Sequence, residues 1–198
     1  MKTDIITHYN LLIDENNDPV NDPKPLQDYM NKWDGELFID ALQLDKNKTV
    51  LEIGIGTGRL AIKVAPFCKR FTGIDISPKT IERAKQHLGK YKTVTLICGD
   101  YLSHVINTKF DLIYSSLTWF HFQNKQAAMD NTADLLNDNG RFVLSINKDR
   151  TDVIDYGTRK LQIFPDKSGD MELQIKSSGL TLVQSFETEK AYIFVAQK

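Results

Sequence analysis

Cysteine is scarce in this chain of 198 residues, which has only Cys68 and Cys98. Two cysteines this far apart provide neither a disulfide framework nor the closely spaced pairs of a structural zinc site. Such sparse use is typical of a reducing compartment. A chain of this length can bury most of its apolar surface without crosslinks, so we expect one domain.

An excess of charge of one sign is also missing. The chain has 25 Lys and Arg residues against 26 Asp and Glu residues, a formal net charge of −1. Binding to DNA or RNA would require a clustered basic face. We therefore expect no nucleic-acid partner and favour a small-molecule substrate.

Long apolar runs are absent as well. No run approaches the roughly 20 residues that cross a bilayer. Residues 1–6 have no apolar stretch of the kind found in a secretory signal. These absences predict a soluble, cytoplasmic protein with no membrane partner.

What the chain does contain is a glycine-rich turn within residues 50–60. Apolar and β-branched residues lead into Gly54, Gly56 and Gly58, and a helical pattern follows at once. Glycine has no Cβ and lets the backbone approach a ligand, while free N–H groups of the next helix face the same place. Glu52 at the strand end would repel phosphate and attract an ammonium or sulfonium group. The turn therefore predicts a positively charged ligand.

The glycine spacing excludes two other nucleotide-binding turns. A dinucleotide fingerprint has glycine at its first, third and sixth positions, but the sixth position counted from Gly54 is Arg59. This argues against a nicotinamide oxidoreductase. No Gly-Lys-Ser/Thr follows, as a P-loop requires. Residues 52–58 instead resemble the E-x-G-x-G-x-G signature of class I S-adenosylmethionine-dependent methyltransferases.

The resemblance covers residues 49–198 and implies an α/β, Rossmann-like, doubly wound fold with a mostly parallel seven-stranded sheet and a C-terminal antiparallel hairpin edge. Strands are predicted at 50–53, 71–76, 94–97, 110–114, 141–146, 180–187 and 191–196. Helices are predicted as two short segments within 26–44, then from Ser77 to about 88, from Asn124 to Asn139-Gly140, and near 171–178. Residues 14–25 and the stretch before 171 are expected to be loops. We interpret residues 1–48 as a helical lid or cap segment and residues 49–198 as the catalytic domain. Tyr9, Tyr29 and Trp33 could line such a lid or pack in the core.

Asp75 is predicted to bind the ribose of a nucleoside ligand. It lies near the end of the second strand, and ligands of open α/β sheets bind at the carboxyl ends of the strands. Its two oxygens can accept hydrogen bonds from both ribose hydroxyls. The alternative is an aspartate that only helps to start the helix beside the Ser77 cap.

The resemblance implies further contacts with the cofactor S-adenosyl-L-methionine. Ile76 would pack on the adenine face, Asp100 would accept a hydrogen bond from the adenine amino group, and Tyr101 would lie beside the ring. Backbone at Ser115 would hold the methionine part. For Asp100, a turn-forming Gly-Asp pair is the alternative.

His121 is the candidate catalytic residue. A sulfonium methyl is already activated, so the enzyme mainly aligns the acceptor and excludes water. If the acceptor is a hydroxyl or a protonated amine, a base must take its proton, and His121 suits this by pKa and by position after the fourth strand. The alternative is a histidine packed beside Trp119 and Phe122.

Other chemistries are disfavoured. The loop after the fourth strand lacks the Asn/Asp-Pro-Pro-Tyr/Phe signature of enzymes that methylate base amino groups, and the strand ends lack a carboxylate cluster for magnesium, so no metal is expected. Arg150, Arg159 and Lys160 could bind an acidic substrate, but we interpret them as solvated loop charges. We therefore predict a methyltransferase acting on an O or N atom of a small molecule. The alternatives are a cofactor-binding module without catalysis and a tRNA or protein methyltransferase.

Overall fold

The computed structural model describes residues 2–198. The helices are α1 (Ile5–Asp14), α2 (Lys24–Met30), α3 (Gly35–Ala41), α4 (Ala61–Val64), α5 (Pro78–Leu88), α6 (Lys125–Leu135) and α7 (Ser168–Ser177). The strands are β1 (Lys2–Thr3), β2 (Thr49–Ile53), β3 (Arg70–Asp75), β4 (Val94–Cys98), β5 (Phe110–Ser116), β6 (Leu136–Asn147), β7 (Val153–Asp155), β8 (Lys160–Gln162), β9 (Thr181–Glu187) and β10 (Ala191–Gln197). Within the described range, no helix has both the length and the apolar character needed to cross a membrane.

The central sheet has seven strands in the order β4-β3-β2-β5-β6-β10-β9. The pairs from β4 to β6 are parallel, and β10 runs antiparallel to both β6 and β9. The predicted fold class, with its antiparallel hairpin edge, is therefore confirmed. The strand order reverses between β2 and β5, which is the position where open α/β sheets form a ligand crevice.

Both faces of the sheet are covered by apolar side chains from helices. On one face, Met129 of α6 and Ile175 of α7 are fully buried against the sheet. On the other face, Phe38 of α3 and Val64 of α4 are fully buried beside Tyr114. Because both faces are covered, β2 and β5 are buried along almost their whole length, including polar residues such as Glu52 and Ser115.

The start of β6 differs from the prediction. The helix was expected to end at Asn139-Gly140, but α6 ends at Leu135 and β6 begins at once with Leu136. Leu136 pairs with Phe110, and the register with β5 shifts just after that pair. Asn139 has a φ of +62° inside this strand. An Asn-Gly pair allows positive φ both in an irregular strand and after a helix. For this reason the pair wrongly predicted a helix end at Asn139-Gly140.

A second, three-stranded sheet was not predicted. The β7–β8 hairpin lies in a stretch expected to be loop, and β1 pairs with β8 in parallel. Strands of two or three residues are too short to show a periodic pattern, so their pairing depends on tertiary contacts. Helix α1 was also missed, although Asp4 caps it by accepting a hydrogen bond from the Thr7 N–H at 2.9 Å.

Candidate active site

A cavity of about 580 Å³ lies at the carboxyl ends of β2, β3 and β5. This volume falls within the range of about 300–1,000 Å³ that small-ligand sites occupy. The glycine turn forms one wall, and α1, α2 and the β7–β8 hairpin contribute the opposite side. The predicted site residues that line the cavity are Glu52, Gly54, Gly56, Asp75, Ile76, Asp100, Tyr101 and His121.

The three glycines of the turn have different roles. All have positive φ, at +74° for Gly54, +58° for Gly56 and +101° for Gly58. A Cβ on Gly54 would lie 1.9 Å from the Thr118 hydroxyl oxygen, and one on Gly58 would lie 3.3 Å from Leu88. A Cβ on Gly56 would meet no atom within 4 Å. Packing therefore requires glycine at position 54, and a Cβ on Gly58 would be in tight contact with Leu88, whereas Gly56 leaves open space in the cavity.

Asp75 connects the turn to the next helix. One carboxylate oxygen accepts a hydrogen bond from the Gly56 N–H and the other from the Ser77 N–H, both at 3.0 Å. Burial raises the pKa of Asp75, and these hydrogen bonds partly oppose that effect. Each carboxylate oxygen has a second lone pair, so the side chain can still accept from ribose hydroxyls in the cavity.

Glu52 is a buried acid. Its Oε2 accepts a hydrogen bond from the Tyr114 hydroxyl at 2.8 Å. Burial raises the pKa of Glu52 to about 8, and the Tyr114 hydrogen bond limits the rise. An ammonium group placed beside Glu52 would favour its ionised form, so this position is suited to a cationic ligand.

Replacing Glu52 by glutamine should flatten the pH dependence of stability between pH 6.5 and 8. The pKa of Glu52 is about 8 in the folded chain against an ordinary value of 4.5. In this window the folded chain holds a proton that the unfolded chain has lost, so stability falls as the pH rises. The slope contributed by Glu52 is up to about 1.4 kcal/mol per pH unit.

Urea unfolding at several pH values would measure this effect in the ligand-free protein. The window begins at the ordinary histidine pKa of 6.5, which limits the histidine contribution. Glutamine can keep the hydrogen bond from Tyr114 but cannot titrate. Equal slopes for the wild type and Glu52→Gln would contradict the burial argument.

The segment after β4 lies at the rim of the cavity. Asp100 is exposed, and its Oδ1 accepts from the Leu102 N–H at 3.0 Å, as in the turn-forming alternative. The Tyr101 hydroxyl lies 2.8 Å from the Thr132 hydroxyl, and burial raises the pKa of Tyr101. The Tyr101 ring contributes to the cavity wall while its hydroxyl is held by α6. The adenine contacts of both residues remain predictions.

Ser115 does not line the cavity. Its side chain is fully buried, and its hydroxyl donates to the Ile53 carbonyl at 3.0 Å. This bond fastens the end of β5 to the end of β2. The predicted contact between the backbone at Ser115 and the methionine part of the cofactor also remains a prediction.

His121 lies in the cavity wall at the end of a 3-10 turn, Trp119–His121. Its Nε2 is 2.7 Å from the hydroxyl oxygen of Tyr9 on α1. Burial lowers the pKa of His121 to about 3, and the nearby His8 and Lys125 lower it further. The imidazole is therefore neutral at ordinary pH. No local sequence pattern pairs these two residues, which are 112 positions apart.

Arg159 corrects one interpretation made from the sequence. Only 7% of Arg159 is exposed, so it is not a solvated loop charge. Its guanidinium donates to both Glu15 oxygens at 2.5 and 2.7 Å, and its Nε donates to the buried His8 at 3.1 Å. Lys160 is exposed and lies 2.8 Å from Asp155. The bidentate pair fastens the β7–β8 hairpin to the end of α1.

A second buried ion pair lies beside the glycine turn and was missed. Arg59 donates to Asp34 through both terminal nitrogens, at 3.1 and 2.5 Å, and Asp34 also accepts from the Ser116 hydroxyl at 2.8 Å. In the sequence, Arg59 stands out only because it occupies the position where a dinucleotide fingerprint has glycine. The aspartate before Gly35 is a helix-capping signal that could have drawn attention to Asp34.

Comparisons with known proteins agree with this geometry. A family model described as a methyltransferase domain matches residues 51–144. An uncharacterized methyltransferase of Anoxybacillus flavithermus is 29% identical over 170 residues, which cover 82% of this chain and 78% of that protein. The malonyl-[acyl-carrier protein] O-methyltransferase of the same organism is 34% identical over 106 residues, covering 52% of this chain but only 40% of that protein.

A solved structure shows the same fold over nearly the whole chain. The N-methyltransferase NodS of Bradyrhizobium japonicum WM9, crystallised with S-adenosyl-L-homocysteine, has a TM-score of 0.70 at 20% identity and covers 96% of this chain and 97% of its own. The fold is thus the Rossmann-like methyltransferase fold. These matches support a class I S-adenosylmethionine-dependent methyltransferase, as the glycine signature predicted, with S-adenosylmethionine as the cofactor.

The cavity walls fit the chemistry of this cofactor. Open space lies over Gly56, and Asp75 presents a carboxylate where a ribose can be held. Glu52 offers a buried acid to an amino group. Among residues 2–198, no group of three His, Cys, Asp or Glu side chains is arranged to hold a metal ion.

Proposed function

We propose that this protein transfers the methyl group of S-adenosylmethionine to an O or N atom of a small-molecule acceptor. The observation that carries the proposal is the shared cavity, in which α1, α2 and the β7–β8 hairpin face the glycine turn across one space. An acceptor bound between these elements would lie next to the cofactor. Both oxygen and nitrogen are kept as acceptor atoms, because one similar protein is named an O-methyltransferase and another an N-methyltransferase.

Seven of the nine predicted cofactor residues have a proposed task here, and the other two, Gly54 and Gly58, shape the turn. Asp75 holds the ribose hydroxyls, Glu52 holds the ammonium group, and Gly56 leaves room for the cofactor to lie against the backbone. The adenine lies between Ile76 and the segment of Asp100 and Tyr101. Ser115 keeps the backbone at the end of β5 in place beside β2.

The remaining task of the chain is to align the acceptor and exclude water. The cofactor supplies an already activated methyl group, so alignment accounts for much of the rate. Residues 1–48 provide the lid, whose α1 brings Tyr9 against His121. The Arg159–Glu15 pair holds this lid helix to the β7–β8 hairpin.

Replacing His121 by alanine should lower kcat about 100-fold while changing the affinity for S-adenosylhomocysteine little. His121 faces the acceptor side of the cavity and either accepts its proton or hydrogen-bonds to it. Tyr9→Phe is the matched variant, because it removes only the hydroxyl that contacts His121 and should lower kcat less. An unchanged kcat in His121→Ala would show that the histidine only fills the wall.

The class of acceptor can be tested by following labelled methyl groups. The purified protein is incubated with S-adenosylmethionine labelled on its methyl group and with separate small-molecule, RNA and protein fractions of a lysate. Label in the small-molecule fraction is the expected result. Label only in RNA or protein, or no turnover with any fraction, would favour one of the two alternatives to a small-molecule methyltransferase.

A further inference from the structure

The cavity is lined by more acidic than basic side chains. Four carboxylates line it: Asp22, Glu52, Asp75 and Asp100. Among the described residues that line it, the cationic side chain is Arg59. Both terminal nitrogens of Arg59 are already bound to the buried Asp34. No free cation of the described wall is therefore available to hold an anionic acceptor.

Asp22 is the carboxylate that the cofactor does not use. In the proposed function, Glu52, Asp75 and Asp100 hold the ammonium, the ribose and the adenine. Asp22 comes from the loop between α1 and α2, is half-buried, and has no hydrogen bond to its carboxylate from the residues described. Burial and the nearby Asp18 raise the pKa of Asp22, and the charge of Arg59 only partly opposes this rise. A cationic ligand beside Asp22 would lower its pKa further.

The rest of the lid side is apolar. The apolar side chains that α1, α2 and the loop after β5 contribute are Ile5, Leu12, Leu26, Met30, Leu117 and Phe120. The polar groups set among them are the Tyr9 hydroxyl and the His121 imidazole, 2.7 Å apart. This wall suits a ligand that has an apolar body and one polar end.

We propose that the acceptor is a small amine carried on an apolar body and methylated on nitrogen, and not a carboxylate or phosphate. The inference rests on the proposed function, because it assigns three of the four carboxylates to the cofactor. The ammonium form of the amine is attracted by Asp22 and by the net negative wall. An anionic acceptor would meet the same carboxylates with no free cation to offset them.

The proton balance also favours nitrogen. The bound ammonium first loses one proton to water, and the nitrogen lone pair then forms the new bond to the methyl carbon. The carbon–sulfur bond breaks with its electron pair on sulfur, which leaves S-adenosylhomocysteine and an N-methylammonium that can lose a proton to solvent. A hydroxyl acceptor would have to give up its proton during transfer, and the buried, neutral His121 is too weak a base to take it readily. His121 and Tyr9 instead hydrogen-bond to the nitrogen and orient its lone pair.

Binding of three matched probes would test the proposal. Phenylethylamine, phenylethanol and phenylacetate share one apolar body and differ in the polar end. Each is titrated into the protein saturated with S-adenosylhomocysteine. We expect the amine to bind roughly tenfold more tightly than the alcohol, and phenylacetate to bind most weakly.

Asp22→Asn should reduce this preference. It removes one charge from the wall and should weaken amine binding roughly tenfold while leaving the alcohol unchanged. Asp134→Asn is the matched control, since Asp134 lies exposed on α6 and outside the residues that line the cavity. It should leave all three affinities unchanged.

The outcomes separate the two proposals. Tighter binding of phenylacetate, equal binding of amine and alcohol, or no binding of any probe to the loaded protein would overturn the amine proposal. Failure of the protein to bind S-adenosylhomocysteine would instead contradict the proposed function. With S-adenosylmethionine present, methyl transfer to the oxygen of phenylethanol in preference to the nitrogen of phenylethylamine would also overturn the amine proposal.

Discussion

Replacing Asp75 by alanine should weaken the binding of S-adenosylhomocysteine by about 100-fold, measured by isothermal titration. The loss follows from two hydrogen bonds to a charged carboxylate, each of which contributes about 1.5–3 kcal/mol before compensation. The same side chain organises the turn, because it accepts from the N–H groups of Gly56 and Ser77. Asp75→Asn keeps one acceptor oxygen for these groups and should lose less affinity.

Asp111→Asn is the matched control for this experiment. Asp111 also accepts several hydrogen bonds, including two from Thr49 at 2.8 Å and one from Asn137 at 2.7 Å. It lies at the amino end of β5, however, and the cavity is at the carboxyl end. Its loss should lower the free energy of unfolding but leave cofactor affinity unchanged. Wild-type affinity in a folded Asp75→Ala protein would rule out the proposed ribose contact.

Replacing Gly56 by leucine should reduce cofactor affinity by at least about 100-fold without preventing folding. A Cβ there would point into open cavity space, so the leucine would occupy the volume that the cofactor needs. The positive φ of +58° adds backbone strain of about 1–2 kcal/mol. Titration with S-adenosylhomocysteine and thermal unfolding would measure the two effects separately.

Gly179→Leu controls for the strain. Gly179 has a φ of +81° and also has no atom within 4 Å of a Cβ, but it lies after α7 and away from the cavity. Both variants should lose a similar amount of stability, whereas only Gly56→Leu should lose affinity. Equal affinities in the two proteins would show that the space over Gly56 is not used by the cofactor.

The central sheet was predictable because its strands and helices are long enough to show a period. The glycine turn also made the protein family predictable, because both the ligand and the tight turn restrict the identity and spacing of the residues from Glu52 to Gly58. The three short strands of the second sheet were less predictable. β1, β7 and β8 have two or three residues each, and their place depends on pairing across the chain.

The candidate site was predictable where its residues follow strand ends, and less so elsewhere. Asp75 and His121 were found by their position after a strand, and both line the cavity. The partnership of His121 with Tyr9, and of Arg159 with Glu15, joins residues more than 100 positions apart. No local pattern encodes such contacts, and a buried arginine has the same sequence appearance as a solvated one.

From the pairing of β1 with β8 we expect the two sides of the cavity to form at different times during folding. The side with the glycine turn is built within residues 52–123, whereas the opposite side needs residues 2–15 to meet residues 159–162. Contacts of such long sequence separation form late, because a large loop must be closed first. We therefore expect a partly folded chain to form the glycine turn before the opposite wall of the cavity is in place. Cofactor affinity alone is for this reason an incomplete measure of whether a preparation of this enzyme is fully native.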